Sequence, residues 1–397
     1  MLTLAAGRVR NVKERRSGLQ IVEVQMEESG EVELALSFAE ETYVPGEVLL
    51  LNTTAVRLRL GTGGYHLVLG KVSERRERTV LERKWGHVMK MRYAPWQLAV
   101  DAIEEQDSPC HALFQREDLT LEGTPVLIGE LHSLLPVAAM RLRNSRPSAR
   151  IAYVMPDGAS LPAAMSRHLH QLRSTEALDA VITTGHAWGG DYEAVTLHSG
   201  LLAARHVAKA DVILCMLGPG VAGTGTPYAF SGVQLAEVAH AVTALGGLPL
   251  FLPRLSFADA RLRHYGISHH SLAVLGRFTL CPVIVLMPRL DGAKGELLSR
   301  QAKGLQAAGK HHFIWSRLPA EKELAQLELG YGLPFTSMGR GWQEDPVPFL
   351  TAVMAADQAS LSMQFQAEQI SAGWDGSALP DTLAALALFL TRNEAQP

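Results

Sequence analysis

Three cysteines in 397 residues, at positions 110, 215 and 281, are too few and too scattered for a disulfide framework or a CxxC zinc site. That scarcity fits a reducing compartment. Long apolar runs are missing too. The longest, such as Val212–Leu217 and Pro282–Met287, are strand-length and far short of the ~20 residues that span a bilayer. Residues Met1–Val12 carry Arg8, Arg10 and Asn11 where a signal peptide needs an apolar stretch, so a cytoplasmic protein with no membrane attachment is expected. Charge of one sign is not in excess either. Lys and Arg number 37 against 40 Asp and Glu, a net charge of −3, which makes a nucleic-acid partner unfavoured at the level of the whole chain. No Walker lysine follows a glycine loop, which excludes a P-loop, and the absence of a GxSxG elbow disfavours serine-hydrolase chemistry. There is no internal repeat and no low-complexity tract.

What is present is an apolar chain, 47% hydrophobic and 19% charged, suited to a large buried core and too long for one domain. The first part reads as short strands. Leu19–Met26 and Glu31–Phe38 alternate apolar and polar positions, with a hairpin at Glu28-Ser29-Gly30. Val48–Leu51, Ala55–Leu60 and Tyr65–Val72 follow, with a glycine turn at residues 61–64. Residues 1–84 are therefore expected to form a small β-barrel or β-sandwich module. The charged stretch 74–84 reads as a solvated edge; it could instead contact RNA, but no stacking aromatics are interleaved. Residues 85–123 are a connector, with a helix around Pro95–Glu105.

From residue 124 to 397 the pattern changes to strands alternating with helices. The expected strands are Thr124–Ile128, Arg150–Met155, Asp179–Thr184, Asp211–Leu217, Leu248–Leu252, Pro282–Met287 and His311–Trp315. The helices between them include Glu130–Arg143 and one from Asp191 to about Val207. Such alternation implies a mostly parallel, Rossmann-like α/β domain with right-handed crossovers. The stretch from Glu321 onward is mostly helical, interrupted at 330–341 and 373–380.

Ligands of parallel sheets gather beyond the carboxyl ends of the strands, so the segments that follow each strand carry the functional expectation. The loop Leu217–Gly232 holds Gly218, Gly220, Gly223, Thr224, Gly225 and Thr226 ahead of a helix, a composition that lets backbone N–H groups approach an anion. His186, Asp191 and Glu193 offer ligands for a divalent metal, although Asp191 as a helix cap is a complete structural alternative. His198 is expected on a partly apolar helix face. Asp157, in a Pro-Asp-Gly turn, is either the turn's own Asx residue or a carboxylate aimed at the site. His132 lies beside Ser133, but neighbours on a helix diverge and cannot pair directly. In the segment from His264 to Ser271, Ser268 is the expected N-cap, which puts His269 and His270 in a first helical turn. The dipole there favours neutral imidazoles able to accept a proton or bind metal.

Several segments carry a resemblance. Gly86–Tyr93, Leu131-His132-Ser133, Tyr153–Pro162, Thr184–Ala194, His198–Leu201, Gly218–Gly232 and Ser268-His269-His270 resemble a bacterial family known as domain of unknown function 3866, over nearly the whole chain. The family implies no activity. A β module ahead of glycine-looped α/β units also looks like component B of the glycine and betaine reductases. The cysteine those components use has no counterpart here, so that likeness implies fold alone.

Two functions are in contention. One is an enzyme acting on a small anionic metabolite held at Gly218–Thr226. His186, His269 or His132 and Asp157 would carry acid–base chemistry, and His186, Asp191, Glu193 and His270 the ligands of any metal. The other is a ligand-sensing or scaffold protein whose β module contacts a partner. A homodimer is the default on base rates of assembly.

Overall fold

Alternating side chains build the first of two units. In the computed structural model, β1 (Leu4–Arg16), β2 (Leu19–Met26), β3 (Val32–Ser37), β4 (Val48–Asn52) and β5 (His66–Lys71) close into a barrel in the order β1-β2-β3-β5-β4. The residues described are 3–39, 42–57, 59, 63–72, 85–92, 98–372 and 379–394. One unit takes in residues 1–84 and 91–98, the other residues 85–90 and 99–397.

The barrel interior holds Val9, Val22, Val24, Ala35, Leu49 and Leu51. Gly7 is needed there, because a Cβ would stand 2.8 Å from the Leu51 side chain. β1 is absent from the sequence expectation. Its apolar positions are spaced by Arg8, Arg10 and Lys13, and two bulges interrupt its pairing with β2, so alternation is hard to see in the sequence. The expected strand Ala55–Leu60 is corrected: Thr54–Arg57 is a helical turn, started where Thr54 N–H donates to Asn52 Oδ1 at 3.1 Å. That Asx contact competes with strand continuation. The glycine turn at 61–64 and the charged segment 74–84 fall partly or wholly outside the described residues. The helix expected around Pro95–Glu105 gives way to a short strand, Leu98–Val100, followed by turns, with 93–97 undescribed.

The second unit is built on an eight-stranded sheet of parallel pairs. Its strands are β6 (Pro125–Gly129), β7 (Ile151–Met155), β8 (Ala180–Thr184), β9 (Tyr192–Ala194), β10 (Val212–Met216), β11 (Leu248–Leu252), β12 (Ile284–Arg289) and β13 (His312–Arg317). They lie in the order β9-β8-β7-β10-β6-β11-β12-β13. Every residue of β6, β7, β8, β10 and β11 is buried, as the continuous apolar runs of a sheet covered on both faces require. Alternate residues point to two cores. One joins Leu127, Tyr153 and Leu214 to α1 (Leu135–Ser145), α2 (Arg167–Ser174), α7 (Glu321–Tyr331), α8 (Pro346–Ser371) and α9 (Leu379–Glu394). The other joins Val126, Val154 and Cys215 to α3 (Leu197–His206), α4 (Gln234–Ala244) and α6 (Gly292–Ala307). No helix among the described residues is long and apolar enough to cross a membrane.

The helix expected from Asp191 to Val207 is corrected. Tyr192–Ala194 is the edge strand β9, paired with β8, and the helix starts at Leu197. Thr196 caps it, accepting from Ser199 N–H, with Ser199 Oγ returning the contact. Backbone pairing with an open sheet edge wins over the weak periodicity of Asp-Tyr-Glu-Ala. His198 is exposed rather than packed on an apolar face.

Sheet order positions the site. The chain leaves β6 through α1 on one face towards β7, β8 and β9. It returns at β10, inserted between β7 and β6, and then leaves through α4 on the other face towards β11. The segments that follow β6 and β10 therefore part company, and a crevice at such a switch point is where parallel sheets bind ligands.

Candidate functional site

The strands at the crevice end level: Gly129 is in register with Met216 on one side and Leu252 on the other. The residues just beyond those ends meet. Glu130, directly after β6, is 2% exposed. Its Oε1 accepts from Arg254 Nη1 at 2.9 Å and from His270 Nδ1 at 2.7 Å. Arg254 follows β11 and is itself buried. Burial raises the Glu130 carboxyl, but the His270 hydrogen bond and the Arg254 charge outweigh it, and the group stays ionised below the usual carboxylate range. Glu130 Oε2 is buried with no partner among the described residues.

His270 belongs to α5 (His269–Ala273), a single turn with Ser268 as N-cap, as the spacing predicts. Ser268 Oγ accepts from His270 N–H and lies 2.8 Å from His264 Nδ1. Arg254 N–H donates to Ser271 Oγ, and Ser268 N–H to Arg254 O, so the turn is pinned to the end of β11. Gly266, at φ +76°, makes the close approach before it possible: a Cβ there would strike Gln301 at 2.4 Å. After Ala273 the chain widens into a π-turn over Val274–Phe278, a form frequent at functional sites.

Three imidazoles gather here. One ring nitrogen from each of His264, His269 and His270 lies within 4.8 Å of the others, the one such group of His, Cys, Asp or Glu found among the described residues. Phe230 stacks on His270 at 4.0 Å between centroids and 4° between planes. Burial, then the charges of Arg254, Arg261 and His270, push His264 down to about 4. Burial, then the charges of His270 and Arg263, lower His269. His269 Nε2 is buried without a partner among the described residues.

The glycine loop borders this cluster. A Cβ on Gly223 would lie 3.6 Å from His270 Nε2, and one on Gly225 (φ +77°) 3.7 Å from the Arg263 guanidinium carbon. The loop is an exposed tongue that folds on itself. Thr224 N–H donates to Ala229 O, Ala229 N–H to Thr226 Oγ1, and Ser231 N–H to Ala222 O. Thr224 and Thr226 hydroxyls stand 2.9 Å apart. The N–H groups of Gly223 and Gly225 have no partner among the described residues. Gly220 takes φ +99° in open space, and Gly218 packs beside Leu161 and Met155. Arg263 is exposed and forms no ion pair among the described residues.

The other predicted residues belong to a different constellation, beyond β7 and β8. Asp157 does close its own turn, accepting from Ser160 N–H at 2.9 Å, and it also accepts from His186 N–H at 2.8 Å. Gly185, at φ +61°, allows that approach, since a Cβ would meet Asp157 Cβ at 2.7 Å. Asp191 accepts from Val181 N–H and Arg173. Glu193 accepts from Lys90 Nζ at 2.7 Å, Thr183 Oγ1 at 2.7 Å and Gly189 N–H at 2.6 Å. Lys90, 1% exposed, also donates to the carbonyls of Ala187 and Thr183. His186, Asp191 and Glu193 form no metal-ligating group among the described residues; both carboxylates already serve as structural acceptors. His132 is buried below, with Nε2 2.6 Å from Ser166 Oγ, and burial followed by repulsion from His168 pushes it down to about 3.

Sequence reasoning singles out His269 and His270 but misses Glu130, Arg254 and the ligand-like placement of His264. His264 is five residues before His269, a spacing with no motif behind it. Glu130 lies 140 positions from its partner His270. A charged residue immediately after an apolar strand is the one signal that marks both Glu130 and, past Pro253, Arg254.

Comparison with known proteins bears on the whole arrangement. Residues 35–356 match the model of the family described as protein of unknown function (DUF3866), and the chain belongs to that family. The matched region contains Glu130, Arg254, the three histidines and the glycine loop. No curated protein matches the chain.

Proposed function

We propose that the protein is an enzyme acting on a small anionic metabolite in the crevice between the Glu130 segment and the Gly218–Gly232 loop. One observation carries the reading: a buried, ionised carboxylate and three imidazoles converge where the sheet order reverses, and two of their polar atoms, Glu130 Oε2 and His269 Nε2, have no partner among the described residues. Proteins satisfy buried polar atoms unless function keeps them open. The metabolite's anionic group takes the N–H groups of Gly223 and Gly225, with the Arg263 guanidinium at the mouth. Its reacting end meets the cluster formed by His264, His269 and His270.

Thermal-shift titrations with inorganic phosphate, small phosphate monoesters and short carboxylates test the binding half. Saturable stabilisation is expected, weakened about ten-fold or more by Arg263→Glu, an exposed charge reversal. No stabilisation by any compound, or equal binding by the variant, contradicts the reading. Turnover of the bound compounds, followed by NMR, tests the catalytic half. Binding without turnover returns the chain to the ligand-sensing alternative.

A further inference from the structure

Three imidazoles crowd together here, and a buried ring nitrogen without a partner is costly unless something satisfies it. In the cluster, two of the outer nitrogens are already committed. His270 Nδ1 donates to Glu130 Oε1, and His264 Nδ1 is bonded to Ser268 Oγ. Nε2 is then the atom His264 and His270 have left to offer, and His269 Nε2 is buried without a partner among the described residues. Imidazoles braced from behind by a carboxylate or hydroxyl are the arrangement that metal-ligating histidines adopt, because the brace fixes both tautomer and ring direction.

We infer that His264, His269 and His270 hold one divalent ion of the zinc type through their Nε2 atoms, with Glu130 and Ser268 orienting two of the ligands and a coordination position open towards the glycine loop. Neutral nitrogen ligands select a borderline ion such as Zn²⁺ or Co²⁺ over Mg²⁺ and Ca²⁺, which take oxygen. Nitrogens bound to a tetrahedral ion at ~2.0–2.1 Å stand ~3.4 Å apart, so nitrogens now within 4.8 Å of one another would draw together by about 1 Å when the ion binds. Phe230 holds the His270 ring face. Gly223 keeps the space in front of it clear, since any side chain there would begin 3.6 Å from Nε2. Glu130 offsets the Arg254 charge behind the cluster. Arg263 at the mouth suits an anion bound to the ion, whether hydroxide or substrate. The inference rests on the proposed function for what the ion does to a substrate, but its binding is measured separately.

The experiment uses the full chain, freed of metal with a chelator and titrated with Co²⁺ and Zn²⁺. One equivalent is expected to bind, and Co²⁺ to give the intense visible absorption of a four- or five-coordinate nitrogen site. His269→Ala, at the least enclosed ligand, is expected to lower affinity at least about 100-fold, and Glu130→Gln about 10- to 100-fold. His264→Asn provides a second ligand deletion should either variant misfold by circular dichroism. His186→Ala binds as wild type. No saturable uptake by the folded wild type, or unchanged uptake by folded His269→Ala and His264→Asn, overturns the centre. Metal bound without turnover counts against the enzymatic reading and leaves the centre standing. Turnover that survives chelation, with no uptake, does the reverse.

Discussion

Two polar constellations lie beyond the strand ends of the same sheet, and they are built to opposite rules. Around Asp157, Lys90 and Glu193 each carboxylate accepts several donors, and Lys90 spends its charge on one carboxylate and two carbonyls. Around Glu130 the partners are just as buried, yet Glu130 Oε2 and His269 Nε2 are left open. The first set locks loops to each other; the second, on the proposed function, is where a ligand would bind. Rich composition alone does not separate them, because His-rich and Asp-rich loops occur in both. Satisfaction of the polar atoms does.

Removing Lys90 should give the largest effect. Lys90→Met strips a buried charge from Glu193 and two carbonyls, and is expected to cost about 3–5 kcal/mol in urea unfolding. Anion and Co²⁺ binding by the folded fraction should be unchanged. A fully stable variant would break the contrast at its locked side.

Asp157→Ala is next. It removes the acceptor of two backbone N–H groups, those of Ser160 and His186, and should cost about 2 kcal/mol by the same measurement. Loss of metal uptake in this variant would show that the two constellations are one site.

His132 sharpens the comparison through pH. Its folded value of about 3 lies below the unfolded ~6.5. Between those values the unfolded chain binds more protons, so stability is whole above ~6.5 and is lost as pH falls towards 3. The slope is at most about 1.4 kcal/mol per pH unit from this residue. Unfolding at pH 7 and 5.5 should show the loss, and His132→Gln should reduce it. Undiminished dependence in the variant would place its origin elsewhere.

The smallest effect is expected where the polar atoms are open. His269→Ala in the metal-free chain should change stability by no more than about 0.5 kcal/mol, or raise it slightly, since the truncation removes a buried ring nitrogen that has no partner among the described residues. A loss of several kcal/mol would assign His269 to the scaffold.

The barrel and the sheet were legible because burial imposes periods that a sequence cannot hide. Leu19–Met26 is a strand end to end, and the alternation from residue 124 places seven of the sheet's strands within a residue or two. β9 and β1 were not legible. One is three residues long, and the other disguises its apolar face with charges and bulges. The site was half legible. A serine before two histidines announces a capped turn, and a glycine-rich segment after a strand announces a loop at the ligand edge. His186, Asp191 and Glu193 looked equally eligible, because nothing local records that Lys90, about a hundred positions earlier, already occupies Glu193.

By itself, then, the sequence determined most of the segments that become strands and helices, and that polar loops would collect at one edge of a parallel sheet; periodic burial is a local constraint, written residue by residue. Only the tertiary structure decided which loops meet. Inserting β10 between β7 and β6 opened the crevice, and level strand ends set Glu130 beside Arg254 and His270. Strand order is a global outcome of packing two helical layers on one sheet, and pairs 124 and 140 residues apart leave no local trace of it.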